Sequence, residues 1–132
     1  MTEAALPDLI VGLVSVRDPR HRPDDERATG LGHIAEVTAI VHNRGDGLAE
    51  ETTTRFRLRG PDIDRELRAI YTPPIPPGEE VEVTATWDIR GRFGRYELIV
   101  TADAFSQIHE TRTDNNSATL AVSVQGVRVE PI

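Results

Sequence analysis

Apolar and polar residues alternate with a period of two along most of this chain, in short runs broken by Gly, Pro, Asn and Asp. That period sends successive side chains to opposite faces, which suits a half-buried β-strand and is incompatible with one apolar helical stripe. In "VEVTATW" (81–87), Val81, Val83, Ala85 and Trp87 share a face. In "IAEVTAIVHN" (34–43), Ala35, Val37, Ala39 and Val41 do so, with Ile34 and Ile40 among the polar residues opposite. "LAEETTTRFRLRG" (48–60) sets Thr52, Thr54, Phe56 and Leu58 against Glu51, Thr53, Arg55 and Arg57. "RYELIVTADAF" (95–105) and "SATLAVSVQG" (117–126) repeat the pattern; "DLIVGLVSV" (8–16), kinked at Gly12, and "ELRAIYT" (66–72) complete it. About seven short strands with no helical segment predict an all-β, immunoglobulin-like antiparallel β-sandwich. The likeness to immunoglobulins is architectural only, because the Cys…Trp…Cys framework is missing and the single Trp lies on the fifth strand.

The 132 residues suit one domain with a core over 6–124 and a long charged loop at 17–33, "RDPRHRPDDERATGLGH". With 22 acidic residues against 15 basic ones, the net charge is −7, which disfavours nucleic acid and anionic membrane as partners. No apolar run is long enough to insert into a membrane as a helix, and "MTEAALPDLI" lacks the basic start and apolar centre of a signal peptide. The chain therefore reads either as a complete protein that is not exported or as a domain of a longer, exported one. All the basic residues are Arg, whose planar forks suit pairing with carboxylates on a sheet surface.

Four stretches recur in an order that resembles the CARDB family, the cell adhesion related domain found in bacteria. They are "LPDLIV" (6–11), "VTAIVHNRGDGLA" (37–49), "IPPGEEVEVTATW" (75–87) and "GRYELIVTADAFSQIHETRTDNN" (94–116). The match spans 6–124. It departs from the pattern in the length of the 17–33 loop and at Thr113, where a second acid often stands. The resemblance implies a sandwich of about seven strands, a place in surface or secreted proteins, and no catalysis.

Within that pattern Asn43 and Gly45 are the recurring residues and Arg44 is the variable one. "RGDG" (44–47) contains the adhesion tripeptide Arg-Gly-Asp, but turn chemistry alone accounts for it. Asn43 ends a strand and can bond its own backbone two residues on, Gly45 and Gly47 can supply positive φ, and Asp46 can satisfy turn amides. Gly78 closes a Pro-Gly turn, and Asn115 and Asn116 serve the turn before the last strand. That final turn also offers Asp103, Glu110 and Asp114, oxygen ligands of the kind Ca²⁺ prefers. Too few of them can be named for a calcium site, so no cofactor and no metal are expected.

No catalytic residue is expected either. His109-Glu110 lacks the second His of a zinc-protease helix, and without Lys there is no phosphate loop. Two surfaces are candidates for binding protein or glycan. Arg55, Arg57 and Arg59 form a basic stripe on the third strand, with Glu97 of the sixth strand as a cross-strand neighbour. His21, Asp24 and Asp25 lie in the long loop, where sandwiches often place recognition. The expectation is a non-catalytic adhesion-type module whose sheet edges could extend a partner's sheet. The alternative is a stand-alone structural or assembly subunit of a cellular or phage-like particle. Oligomeric state and partner are not written in the sequence.

Overall fold

The computed structural model describes residues 5–17, 34–61, 63–104, 116–125 and 128–132. Its elements in chain order are β1 (Leu9–Arg17), β2 (Ile34–Asn43), β3 (Thr52–Arg59), β4 (Asp64–Thr72), β5 (Glu80–Asp88), β6 (Phe93–Thr101), β7 (Ser117–Gln125) and β8 (Val129–Pro131). One antiparallel sheet has the order β1-β2-β5 and the other β4-β3-β6-β7-β8. The two pack face to face as an all-β sandwich.

The inward faces are those the alternation predicts. Val37 and Val41 of β2 and Ala85 and Trp87 of β5 are buried from one sheet. Phe56 and Leu58 of β3, Tyr96, Leu98 and Val100 of β6, and Val122 and Val124 of β7 are buried from the other. Trp87 meets Tyr96 edge-on across the sandwich, at 5.8 Å between ring centroids and 70° between planes. Burying a side chain of that size contributes on the order of 3 kcal/mol. Its indole Nε1 is buried with no hydrogen-bond partner, so the packing is kept at the cost of one unsatisfied donor.

Three details depart from the expectation or sharpen it. Eight strands are described, not seven, because Val129–Pro131 adds to the edge of β7. Val129 is buried, so the core runs past residue 124. Three residues ending in Pro131 are too short for a period to be visible. At Gly12 the β1–β2 register slips between Val11 and Leu13, a β-bulge that reverses the parity of the strand. Leu9 and Val11 before it, and Val14 and Val16 after it, therefore all face the core. β4 also carries a bulge, since Phe56 pairs with Arg68 and Arg57 with Glu66, leaving Leu67 as the extra residue. Two turns use glycine for its handedness, Gly78 at φ 80° and Gly91 at φ 73°.

Candidate functional site

The end of β2 is tied together by one side chain. Asn43 is completely buried. Its Oδ1 accepts from the Asp8 amide at 3.1 Å and the Gly45 amide at 2.9 Å. Its Nδ2 donates to the Gly47 carbonyl at 2.8 Å and to the Ile75 carbonyl at 2.9 Å. Its own backbone amide donates to Glu79 O at 2.9 Å and its carbonyl accepts from Gly78 at 2.8 Å. All four side-chain bonds an amide of this kind can make are thus made, which a buried polar group requires. They join three segments far apart in sequence: the Pro-Asp opening, the 44–47 turn and the Pro-rich connection before β5. Ile75 is buried there and pairs with Ala49 as an isolated bridge.

The bond from Gly45 back to Asn43 is as expected. The roles of the glycines and of Asp46 are not. Positive φ among described glycines is confined to Gly78, Gly91 and Gly94, so Gly45 and Gly47 are needed for another reason. The 5–8 segment lies directly on them. A Cβ on Gly45 would fall 2.3 Å from Leu6 O, and one on Gly47 2.3 Å from Ala5 O. The turn amides are taken by backbone, with Arg44 N bonded to Asp8 O at 2.8 Å and Asp46 N to Leu6 O at 3.1 Å. The Asp46 side chain is exposed and makes no hydrogen bond among the described residues. Gly78 closes its turn as expected. Asn116 is buried, accepts from Ala102 N through its carbonyl at 2.8 Å, and precedes β7, which is not the last strand.

The basic stripe lies on the outer face of the five-stranded sheet, and each guanidinium there has an acid. Arg55 stands 3.0 Å from Glu66, Arg57 2.7 Å from Asp64, and Arg59 3.1 Å from Glu97. The β3–β6 pairing that sets Arg59 opposite Glu97 is the expected one. These pairs are exposed enough that each contributes under about 1 kcal/mol, and together they neutralise the stripe. Beside them Tyr71, 62% exposed, donates its hydroxyl to Glu51 at 3.1 Å. That hydrogen bond to the Glu51 carboxylate, helped by desolvation and by the carboxylate's charge, raises the Tyr71 pKa above its ordinary 10.0. Glu51→Gln is expected to bring it down, read as phenolate absorbance against pH. The raised value means that any stability this contact contributes is present below the ordinary phenol pKa and lost as pH rises through the folded-state one.

The outer face of the three-stranded sheet differs. A shallow depression of about 370 Å³ is lined by Ser15, Arg17, Glu36, Thr38, Glu82 and Thr84. Arg17 stands 3.8 Å from Glu36, and the Thr38 and Thr84 hydroxyls bond at 3.1 Å. Glu80 and Glu82, by contrast, are exposed on β5 and take no ion pair or hydrogen bond with any described residue. Nothing in the sequence marks these two carboxylates, because alternating Glu is ordinary on the solvent face of a strand.

His21, Asp24, Asp25, Glu110, Asp114 and Asn115 lie outside the described residues. Asp103 is buried and holds φ 47°, a conformation uncommon for a residue with a side chain. Among the described residues no three His, Asp or Glu side chains gather as a metal site would need.

The CARDB family profile matches residues 6–120. The chain belongs to the CARDB family. Its resemblance in sequence and its sandwich agree on a CARDB domain, a family described as cell-adhesion-related. The crystal structure of a CARDB domain from Pyrococcus furiosus, in complex with di-metal ions, is 24% identical. That match covers 93% of this chain and 97% of that one, with a TM-score of 0.66. A domain described as part of a cell surface protein of Methanosarcina acetivorans is 19% identical, over 91% and 93% of the two chains, with a TM-score of 0.63. Beta-glucosidase 3B of Thermotoga neapolitana matches at 14% identity and a TM-score of 0.57, over 96% of this chain but 17% of the enzyme. At these identities the likeness is one of fold. No curated protein matches the CARDB chain significantly.

Proposed function

We propose that this CARDB domain is a non-catalytic module that binds protein or glycan, working within a bacterial surface or secreted protein. The observation that carries the reading is the Asn43 junction. Three of the four stretches that mark the family meet there and are consumed in holding the sandwich together. Contacts with other molecules then fall to the outer faces, the edges and the loops. The Methanosarcina acetivorans relative, described as a cell surface protein's domain, points to the same setting.

The full chain, immobilised and titrated with purified envelope glycans and with purified surface proteins, is expected to show saturable binding to one class at roughly micromolar Kd. Lack of saturable binding to both classes would overturn the reading. The full chain is expected to release no glucose from β-glucosides, and turnover that co-purifies with it would overturn the non-catalytic part. The proposal includes no resident cation. Thermal unfolding is expected to give the same Tm in about 1 mM Ca²⁺ as in chelator. A Tm raised by several degrees in calcium would instead assign a stabilising site to this chain.

A further inference from the structure

Each sheet of a sandwich has two outer strands, and the four here are not alike. β1 is broken by the bulge at Gly12 and β4 by the bulge at Leu67. β8 has three residues and ends in Pro131. Short strands, bulges and proline are the devices that stop an edge from recruiting another strand. β5 has none of them. Its nine residues pair with β2 in unbroken register from Ile34↔Asp88 to His42↔Glu80, and it pairs with no other described strand. β4 lies beside it across the corner of the sandwich but belongs to the other sheet. In immunoglobulin constant domains a fourth strand completes the sheet at this place. Here that strand has moved to the far sheet, so among the described strands half of the β5 amides and carbonyls have no ladder.

We infer that the β5 edge is where this domain takes up its partner, an extended segment with basic residues at alternate positions that adds a fourth strand to the β1-β2-β5 sheet. The inference rests on the interaction-module reading and names its partner chemistry. Charge selects the occupant. The solvent face of β5 presents Glu80, Glu82, Thr84, Thr86 and Asp88, and Glu80 and Glu82 have no counter-ion among the described residues. The Arg stripe on the other sheet, in contrast, is already neutralised. Opposite charges facing each other across a strand pair are favourable and like charges are not. A second copy of β5 would bring acid against acid and is rejected. Apolar residues alternating with the basic ones would lie on the same side as Val81 and Val83, which face the core.

The probe is a nonapeptide alternating Arg and Val, titrated onto the full chain. It is expected to bind, and the counterpart with Glu in place of Arg is not. Glu80→Arg with Glu82→Arg, both at exposed positions, should weaken binding about tenfold or more without moving Tm. Two further peptides are N-methylated, one on every Val and one on every Arg. In a strand pair only one of those two sets of amides faces β5, so one peptide must lose binding and the other keep it. Equal binding of both would reduce the contact to charge alone and overturn the inference, as would dimerisation of the chain through β5. If envelope ligands bind the native chain and the double Glu→Arg variant equally, the edge is wrong and the module reading stands. If they bind neither, the module reading itself fails.

Discussion

Replacing Asn43 with alanine is expected to cost about 3–5 kcal/mol, because four groups lose their partner inside the fold and each unsatisfied one carries a penalty of roughly 1–3 kcal/mol. The sum is smaller than four full penalties, since a water admitted to the vacated space can satisfy some of them. For a chain of this length the loss lowers Tm by about 10–20 °C. Thermal unfolding followed by circular dichroism measures it. A drop of only a degree or two would mean that the bonds of Asn43 to Asp8, Gly45, Gly47 and Ile75 do not hold the end of the sandwich. Asn43→Asp separates the two halves of the junction. Its carboxylate still accepts from Asp8 N and Gly45 N but faces the Gly47 and Ile75 carbonyls without a proton. The pKa of the new carboxyl is therefore raised in the folded state. The variant is most stable below the ordinary carboxyl pKa of about 4, and stability is lost as pH rises from there through the raised value.

Gly45→Ala is expected to cost about 2–3 kcal/mol, for a different reason. The added methyl would stand 2.3 Å from Leu6 O and 2.6 Å from Asp8 N. Both are backbone atoms held in place by the bonds of Asp46 N to Leu6 O and of Arg44 N to Asp8 O, so no rotamer change relieves the overlap. The strain is released by lifting the 5–8 segment, which should show as faster amide exchange at the start of β1. Gly12→Ala is the matched control, since its Cβ would meet nothing closer than Ile40 O at 4.0 Å. A Gly45→Ala Tm equal to that of the control would show that the close approach is unimportant. The same geometry bears on Arg44-Gly45-Asp46. Arg44 and Asp46 are exposed, while the glycine between them lies under the N-terminal segment. The tripeptide is thus part of a junction whose spacing serves the fold.

The family and the faces of the strands could be read from the chain because both are local or ordered in sequence. A period of two assigns Val81, Val83, Ala85 and Trp87 to the core whatever their neighbours are. The same parity put Arg55, Arg57 and Arg59 outside. What the stripe does was not readable, since Glu66 and Asp64 reach it only through β4 pairing with β3. Nor could the glycine requirement at 45 and 47 be assigned correctly. A turn glycine suggests positive φ from its immediate context, whereas here the cause is a segment nearly forty residues earlier, as the 35-residue separation of Asp8 from Asn43 illustrates.

By itself, then, the sequence determined the strand class, the inward side of each strand and the likeness to CARDB, since side-chain parity and turn residues act over two to four positions. The tertiary structure alone decided which sheet β4 joins, that Asn43 ties three distant segments, and that β5 is left as a regular edge over its full length among the described strands. Those outcomes depend on pairings between residues far apart in the chain, and such pairings leave no period to read.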